Sequence, residues 1–332
     1  MNKKWIIYIV LIVVAFVLIV VFSKNIYFWL SNQLWKILLL AAVFGGGWLL
    51  GRFGGKKNGT QQGNGNNRFD VLKRTIRLHI SPCPNDTFMF DALVNGRIDC
   101  GELTFEVAYY DIEELNRRAE AGETDVSKIS YALLPEIQSR YTLLDSGSAL
   151  GRGNGPVFVA RQGTPPDSIR RVAVPGMHTT ANALMSRLYP SITQKKPVLF
   201  SEIAPAVARG EYDAGVLIHE GRFVYRKLGL ELVADLGELW ESRTGLPLPL
   251  GAIVARRTLP EELRCEIERL LRTSIEYAFA HREESRTYIK EHARELDDRV
   301  IDHHIDFFVN SYSLSLGDEG RRAVRELTGV EV

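Results

Sequence analysis

Between residue 75 and the C-terminus, short apolar segments typical of buried strands alternate with segments typical of helices. Strands are predicted at 75–80, 103–109, 125–129, 157–160, 171–174, 198–200, 213–218 and 252–255. Helices are predicted at 87–94, 112–121, 130–139, 179–188 and 202–208, with long helices from residue 260 onward. This alternation predicts an α/β protein whose largely parallel sheets are covered by helices on both faces.

Two irregular segments divide this region into two predicted lobes. Residues 151–156 are rich in glycine, and residues 245–251 contain two prolines and no regular period. We expect a first lobe built from 73–160 and 252–332, and a second lobe from 161–251. Because two connections can bend together, this organisation predicts a hinged cleft between the lobes.

The N-terminal region differs in composition and predicts a membrane anchor. Residues 5–22 carry no charged or strongly polar side chain, and residues 37–53 form a weaker candidate interrupted by glycines and Arg52. At about 1.5 Å per residue, the first segment is long enough to cross a bilayer core of ~30 Å. Basic residues at both outer flanks predict a hairpin at 1–53 with cytoplasmic ends, followed by a flexible linker at 54–72.

These features predict a membrane-anchored protein with its main module in the cytoplasm, or a cytoplasmic protein if the mature chain lacks the extension. A cleaved signal peptide is disfavoured, because the first apolar segment exceeds the usual length and no A-x-A site follows it. If only that segment inserts, the rest of the chain lies outside instead.

The overall composition narrows the classes of partner. Lysines and arginines number 41 against 40 aspartates and glutamates, and no basic stripe indicates a nucleic-acid partner. The three cysteines, Cys83, Cys100 and Cys265, are an odd number without metal-ligand spacing. They predict reduced thiols rather than disulfides or a zinc site.

His219 follows the apolar run 213–218, where a buried strand is predicted to end. In open α/β sheets, ligands bind outside the carboxyl ends of the strands. An imidazole there can exchange a proton near neutral pH, which makes His219 a candidate catalytic residue. The alternative is a hydrogen-bonded structural histidine.

Two further segments predict groups that bind an anion. The helix predicted from Thr179 offers free amides and hydroxyls to a carboxylate or phosphate, although simple N-capping by a threonine is an alternative. Lys128 and Ser130 end another strand and could hold the same ligand, although a solvated lysine beside a capping serine is the common case. Asn85 or Asp86 is expected to cap the helix at 87–94.

No metal site is predicted. His303 and His304 are adjacent and cannot share one helix face, and no further histidine pair or cysteine pair completes a ligand set. The G-x-S-x-G and P-loop patterns are absent, so the sequence does not support serine hydrolase or nucleotide chemistry.

Six sequence blocks occur in an order that resembles one enzyme family. They are Ser81-Pro82-Cys83-Pro84-Asn85-Asp86-Thr87-Phe88, Ser127-Lys128-Ile129-Ser130-Tyr131-Ala132, Gly151-Arg152-Gly153-Asn154-Gly155-Pro156, Val174-Pro175-Gly176 with His178-Thr179-Thr180-Ala181, Ile218-His219-Glu220, and Thr244-Gly245-Leu246-Pro247-Leu248-Pro249-Leu250-Gly251. Together they resemble the 1,4-dihydroxy-6-naphthoate synthases of the futalosine route to menaquinone, over residues 75–332.

The resemblance implies a type 2 periplasmic-binding-protein-like fold with the ligand between two lobes. It implies conversion of cyclic dehypoxanthine futalosine to 1,4-dihydroxy-6-naphthoate and dihydroxyacetone, without a cofactor. It implies that His219 is the proton acceptor. The same resemblance, with the predicted helix start, implies that the carboxylate substrate is bound by Lys128, Ile129, Ser130, Thr179, Thr180, Ala181 and Asn182.

The hydrophobic N-terminal extension is not part of the family pattern. Two alternatives share the fold: a membrane-tethered solute-binding protein without activity, and the chorismate dehydratase of the same pathway. The His-Glu-Gly sequence at 219–221 favours the synthase.

Overall fold

The computed structural model describes residues 74–219, 221–293 and 297–332. Within these ranges, no helix is both long enough and apolar enough to cross a bilayer. The predicted anchor at 1–53 and the linker at 54–72 lie outside the described residues.

The first of two sheets contains strands from both ends of the described chain. They are β1 (Arg74–Ile80), β2 (Leu103–Tyr109), β3 (Val126–Ser130), β4 (Tyr141–Leu143), β5 (Ala149–Gly151) and β11 (Leu248–Arg256). The order is β2-β1-β3-β11-β4, and β5 also pairs with β11. Strand β1 is parallel to β2 and β3, whereas β11 is antiparallel to β3, β4 and β5.

The second sheet is formed by the strands between these two parts. They are β6 (Val157–Arg161), β7 (Arg171–Val174), β8 (Gln194–Pro197), β9 (Ala214–Leu217) and β10 (Leu230–Asp235). The order is β10-β6-β9-β7-β8, in which β7 is parallel to β8 and β9 while β6 is antiparallel to β9 and β10.

Helices connect and cover the strands. They are α1 (Pro84–Val94), α2 (Ile112–Ala121), α3 (Leu134–Ile137), α4 (Thr180–Leu188), α5 (Phe200–Ala208), α6 (Gly221–Val224), α7 (Leu236–Thr244), α8 (Glu261–Ala280), α9 (Arg286–His292), α10 (Asp298–Phe308), α11 (Ser311–Leu314) and α12 (Gly317–Thr328). Each sheet packs its own apolar core, with Leu78 of β1 in one and Val172 of β7 in the other.

Local signals explain several boundaries. Helix α2 begins after Asp111, whose carboxylate accepts from two backbone N–H groups of the first turn, and it ends at Gly122 in the left-handed conformation. Helix α1 begins at Pro84, earlier than predicted, because proline is well suited to the first helical position. Asn85 and Asp86 therefore lie inside the helix, and neither caps it.

Three predicted elements differ from the structure. The apolar residues at 198–200 are not a strand: the edge strand is the polar β8 before them, and an edge strand needs no apolar face. The helix predicted at 130–139 is limited to a 3₁₀ turn at Tyr131–Leu133 and the short α3. Strand β11 starts at Leu248 and includes Pro249, because a register irregularity at that point accommodates the missing N–H.

The chain passes between the sheets twice, before β6 and before β11. Strand β6 pairs with β9 and β10, so it belongs to the second sheet, whereas the predicted lobe boundary falls at residue 160. The first passage therefore lies within 152–156, where Gly155 approaches Gly237 so closely that a Cβ would be 2.3 Å from the Gly237 Cα.

Candidate active site

A cavity that is partly open to solvent is lined by residues of both sheets. Several lining residues follow or end strands β1, β3, β7 and β9. The lining consists of Ser81, Asn85, Asp86, Ile112, Lys128, Ser130, Ala149, Asn154, Gly155, Pro156, Thr179, Thr180, Ala181, Ile218, His219, Leu250, Gly251 and Phe308.

A buried ion pair forms one wall of the cavity. The Lys128 Nζ lies 2.8 Å from Oδ1 of Asp86, and both residues are almost fully buried. Asp86 also accepts from the backbone N–H and hydroxyl of Ser81 and from the Asn85 amide. An ammonium has three N–H donors, and among the described residues only Asp86 accepts one, so two donors are available to a ligand.

Ser130 offers a second donor on the same wall. Its Oγ accepts from the side-chain amide of the buried Asn116 at 3.0 Å, and its backbone N–H donates to Oδ1 of Asn116 at 2.8 Å. These two bonds fix the serine and leave its hydroxyl proton without an acceptor among the described residues. The hydroxyl can therefore donate to a ligand in the cavity.

The opposite wall is the N-terminus of α4. The Thr179 hydroxyl accepts from Asn182 N–H and donates to the Gly176 carbonyl, while the Thr180 hydroxyl donates to the Leu250 carbonyl. Both hydroxyls are thus used within the protein. The groups that remain for an anion are the first backbone amides of the helix and the positive end of its dipole.

His219 follows β9 and has a φ of +52°, the only positive φ of a non-glycine residue in the described part of the chain. Such a conformation stores strain, which is common at functional sites. Its ring lies 5.2 Å from that of Phe200, 5.9 Å from that of His304 and 6.4 Å from that of Phe308, measured between centroids. Its Nε2 is 3.9 Å from the Cys83 sulfur.

The ring of His304 stacks against that of His219. Its Nε2 donates to Oδ1 of Asn85 at 3.0 Å, because the Asn85 amide nitrogen already donates to Asp86. Burial lowers the pKa of His304 well below 6.5, and the nearby Lys128 ammonium acts in the same direction. His304 is therefore neutral, and His219 is the imidazole that lines the cavity.

The structure brings together six of the eight predicted site residues. Lys128, Ser130, Thr179, Thr180, Ala181 and His219 all line the cavity. The side chain of Ile129 instead packs in the core, because successive strand residues face opposite sides. Asn182 donates its amide to the Met177 carbonyl and braces the preceding turn.

Sequence reasoning missed several residues that support the site. Asp86 was expected only as a helix cap, although its position in the Ser81–Phe88 block was available as a signal. His304 was considered only as a metal ligand, and Asn116 and Phe308 carried no recognisable local signal, because the partners of all three lie on other elements.

His303 and His304 face different partners. The ring centroid of His303 lies 4.8 Å from that of Phe223, whereas His304 bonds to Asn85. Among the described residues, the side chains that could hold a metal ion together are Glu120, Glu136 and His178, which lie outside the cavity lining and are partly exposed.

Comparison with solved structures defines the fold class. A protein of Candida albicans described as having the generic periplasmic binding protein fold matches with a TM-score of 0.60, covering 76% of this chain and 89% of that chain at 11% identity. A protein of Archaeoglobus fulgidus solved by X-ray crystallography matches with a TM-score of 0.71 and 34% identity, covering 78% of this chain and 96% of that chain. The predicted α/β fold of the periplasmic-binding-protein type is confirmed.

Comparison of sequences defines the family. A family described as menaquinone biosynthesis matches residues 76–330. The 1,4-dihydroxy-6-naphthoate synthase of Thermus thermophilus is 50% identical over 252 residues, covering 76% of this chain and 92% of the relative. That of Streptomyces coelicolor is 45% identical over 259 residues, covering 76% and 91%. The chain belongs to this menaquinone biosynthesis family and is an enzyme of that pathway.

Proposed function

We propose that the protein converts cyclic dehypoxanthine futalosine to 1,4-dihydroxy-6-naphthoate and dihydroxyacetone. The observation that carries this proposal is the position of His219, held in a strained backbone conformation at a cavity whose other walls supply hydrogen-bond donors. The names of the two relatives support the same reaction.

The reaction requires a base and groups that hold negative charge. Fragmentation and aromatisation begin with proton removal next to a carbonyl, for which an imidazole is suited, and His219 supplies one. The free hydroxyl proton of Ser130 and the ammonium of Lys128 can stabilise a developing oxyanion. The N-terminus of α4 is suited to the substrate carboxylate.

We propose that the two sheets with their helices act as two lobes that close on the ligand. The cavity is lined from both sheets, and the chain passes between them twice. Closure would exclude water and bring His219 to the reacting carbon.

The test is His219→Asn, compared with His303→Asn as a matched control on the exposed side of α10. Asparagine tolerates a left-handed backbone, so the variant should fold. We expect turnover of cyclic dehypoxanthine futalosine, measured by mass spectrometry of the naphthoate, to fall by about 10²–10⁴ while product affinity is retained. Turnover at the wild-type rate would rule out His219 as the base. Binding without turnover by the wild-type chain would favour the solute-binding alternative.

We also propose that the apolar N-terminal segment at 5–22 tethers the enzyme to the membrane, where the lipid-linked steps of the pathway would be close. The full chain should sediment with membranes after a carbonate wash, and a variant starting at residue 70 should not. Recovery of the full chain in the detergent-free supernatant would exclude the tether.

A further inference from the structure

Glu113 lies in α2, a helix that packs against β3 of the first sheet. It binds the turn that precedes α4, a helix that covers the second sheet. Its carboxylate accepts from the backbone N–H of Met177 at 3.0 Å and from that of His178 at 3.2 Å. The His178 Nδ1 donates to the same carboxylate at 2.9 Å. One side chain thus receives three hydrogen bonds from a single turn on the other side of the cavity.

Gly176 makes this contact possible. A Cβ at residue 176 would lie 2.1 Å from Oε2 of Glu113 and 2.4 Å from its Cδ. The carboxyl group therefore occupies the space that any other residue at 176 would need.

The turn that Glu113 holds continues directly into the anion-binding wall. Thr179, Thr180 and Ala181 follow His178 without interruption and line the cavity. Two other bonds cross in the same place: the backbone N–H of Ala132 donates to the Thr180 hydroxyl at 3.4 Å, and that hydroxyl donates to the Leu250 carbonyl of β11 at 2.9 Å. Both join neutral groups, whereas Glu113 receives three bonds on an ionised acceptor, and bonds to an ionised acceptor are the stronger kind.

We propose that Glu113 is a positioning residue that holds the N-terminus of α4 against the first lobe and thereby sets the affinity for the carboxylate of the ligand. The proposal rests on the proposed function only for the identity of that ligand. Glu113 does not line the cavity, so it acts through the turn and not by touching substrate.

The experiment compares Glu113→Gln with Glu114→Gln. Glu114 is the next residue of the same helix, and within the described part of the chain it forms ion pairs only with Arg117 and Arg118 of that helix, so it is a matched control. A glutamine presents one acceptor and an NH₂ group to three donors, so at least one bond is lost. We expect KM, and the dissociation constant of added 1,4-dihydroxy-6-naphthoate, to rise about tenfold to a hundredfold, the range for one bond to a charged group. We expect kcat to stay within about threefold, as for loss of uniform binding.

Hydrogen exchange gives a readout that does not depend on turnover. The amides of Met177 and His178 should exchange at least about tenfold faster in Glu113→Gln than in the wild type, because their acceptor is weakened, and should be unchanged in Glu114→Gln. Gly176→Ala should reproduce the Glu113→Gln result, since its methyl group displaces the carboxylate.

The outcomes separate the two proposals. Faster exchange in Glu113→Gln with unchanged KM and product affinity, or a lower kcat at constant KM, would overturn the positioning role. If the wild-type chain forms no naphthoate, the proposed reaction fails, and the exchange rates together with naphthoate binding still test Glu113.

Discussion

The ion pair between Asp86 and Lys128 leads to a prediction about stability that can be worked out atom by atom. Asp86 is fully buried and accepts four hydrogen bonds: two from Ser81 at Oδ2, and one each from Asn85 and Lys128 at Oδ1. In Asp86→Asn, either orientation of the amide turns its NH₂ group toward the Ser81 N–H or toward the Lys128 ammonium. A donor then faces a donor, and a buried positive charge loses its partner.

The expected effect differs between the two members of the pair. Removing one partner of a buried pair destabilises by about 3–5 kcal/mol, and the lower end applies to Asp86→Asn because the ammonium borders the cavity. In Lys128→Met the carboxylate keeps its three other donors, so the loss is about 1.5–3 kcal/mol, one bond to a charged group. For a module of this size, 3 kcal/mol corresponds to a fall in Tm of about 6–12 °C.

Urea unfolding followed by circular dichroism at neutral pH measures both free energies of unfolding. We expect Asp86→Asn to be less stable than Lys128→Met by up to about 1.5 kcal/mol, and the double variant to be more stable than the sum of the two losses predicts. If Lys128→Met is the less stable of the two single variants, the reasoning from the Asp86 hydrogen bonds is wrong.

Two further predictions concern the same region. Burial lowers the pKa of His304 below 6.5, so at acidic pH the unfolded chain binds a proton that the folded chain does not. The free energy of unfolding should therefore fall as the pH drops below 6.5, by up to about 1.4 kcal/mol per pH unit. His304→Phe should lose this component in urea titrations across pH, and an identical slope in both proteins would contradict it. Gly155→Ala should lower the free energy of unfolding by about 1–3 kcal/mol, because its methyl group would meet the backbone of Gly237, which cannot move aside as a side chain can. Gly221→Ala, whose Cβ meets only Leu217 at 3.6 Å, is the control and should be near wild type in thermal unfolding.

Helices and strands whose own residues mark both ends and the buried face were predicted well. Strand β2 and helix α2 have the predicted bounds, since the helix has an aspartate cap, an apolar stripe and a terminal glycine. The edge strand β8 was missed because its residues are polar, and β11 was predicted too short because Pro249 normally breaks a strand. In both cases a neighbouring strand decides the structure, and neighbours are not visible in a local pattern.

In the candidate site, too, features with a local sequence signal could be predicted and features that depend on distant residues could not. The cavity position of His219 could be predicted, because a strand end at the edge of an α/β sheet is where ligands bind. The partner of Lys128 could not, because Asp86 is 42 residues away and only the sheet brings them together. The contact between Glu113 and His178 spans 65 residues and connects the two sheets.

Strand β11 lies between β3 and β4 in the first sheet, although the whole second sheet precedes it in the chain. During synthesis, the ribosome therefore releases β6 to β10, a continuous segment that contains a core cluster of its own, before the first sheet can close. Until then β3 pairs with β1 on one edge only, and pairing of its other edge with β11 must bridge a loop that contains the second sheet. Topology thus allows the inserted half to fold first, whereas the half that began the chain is completed only by the arrival of Leu248–Arg256.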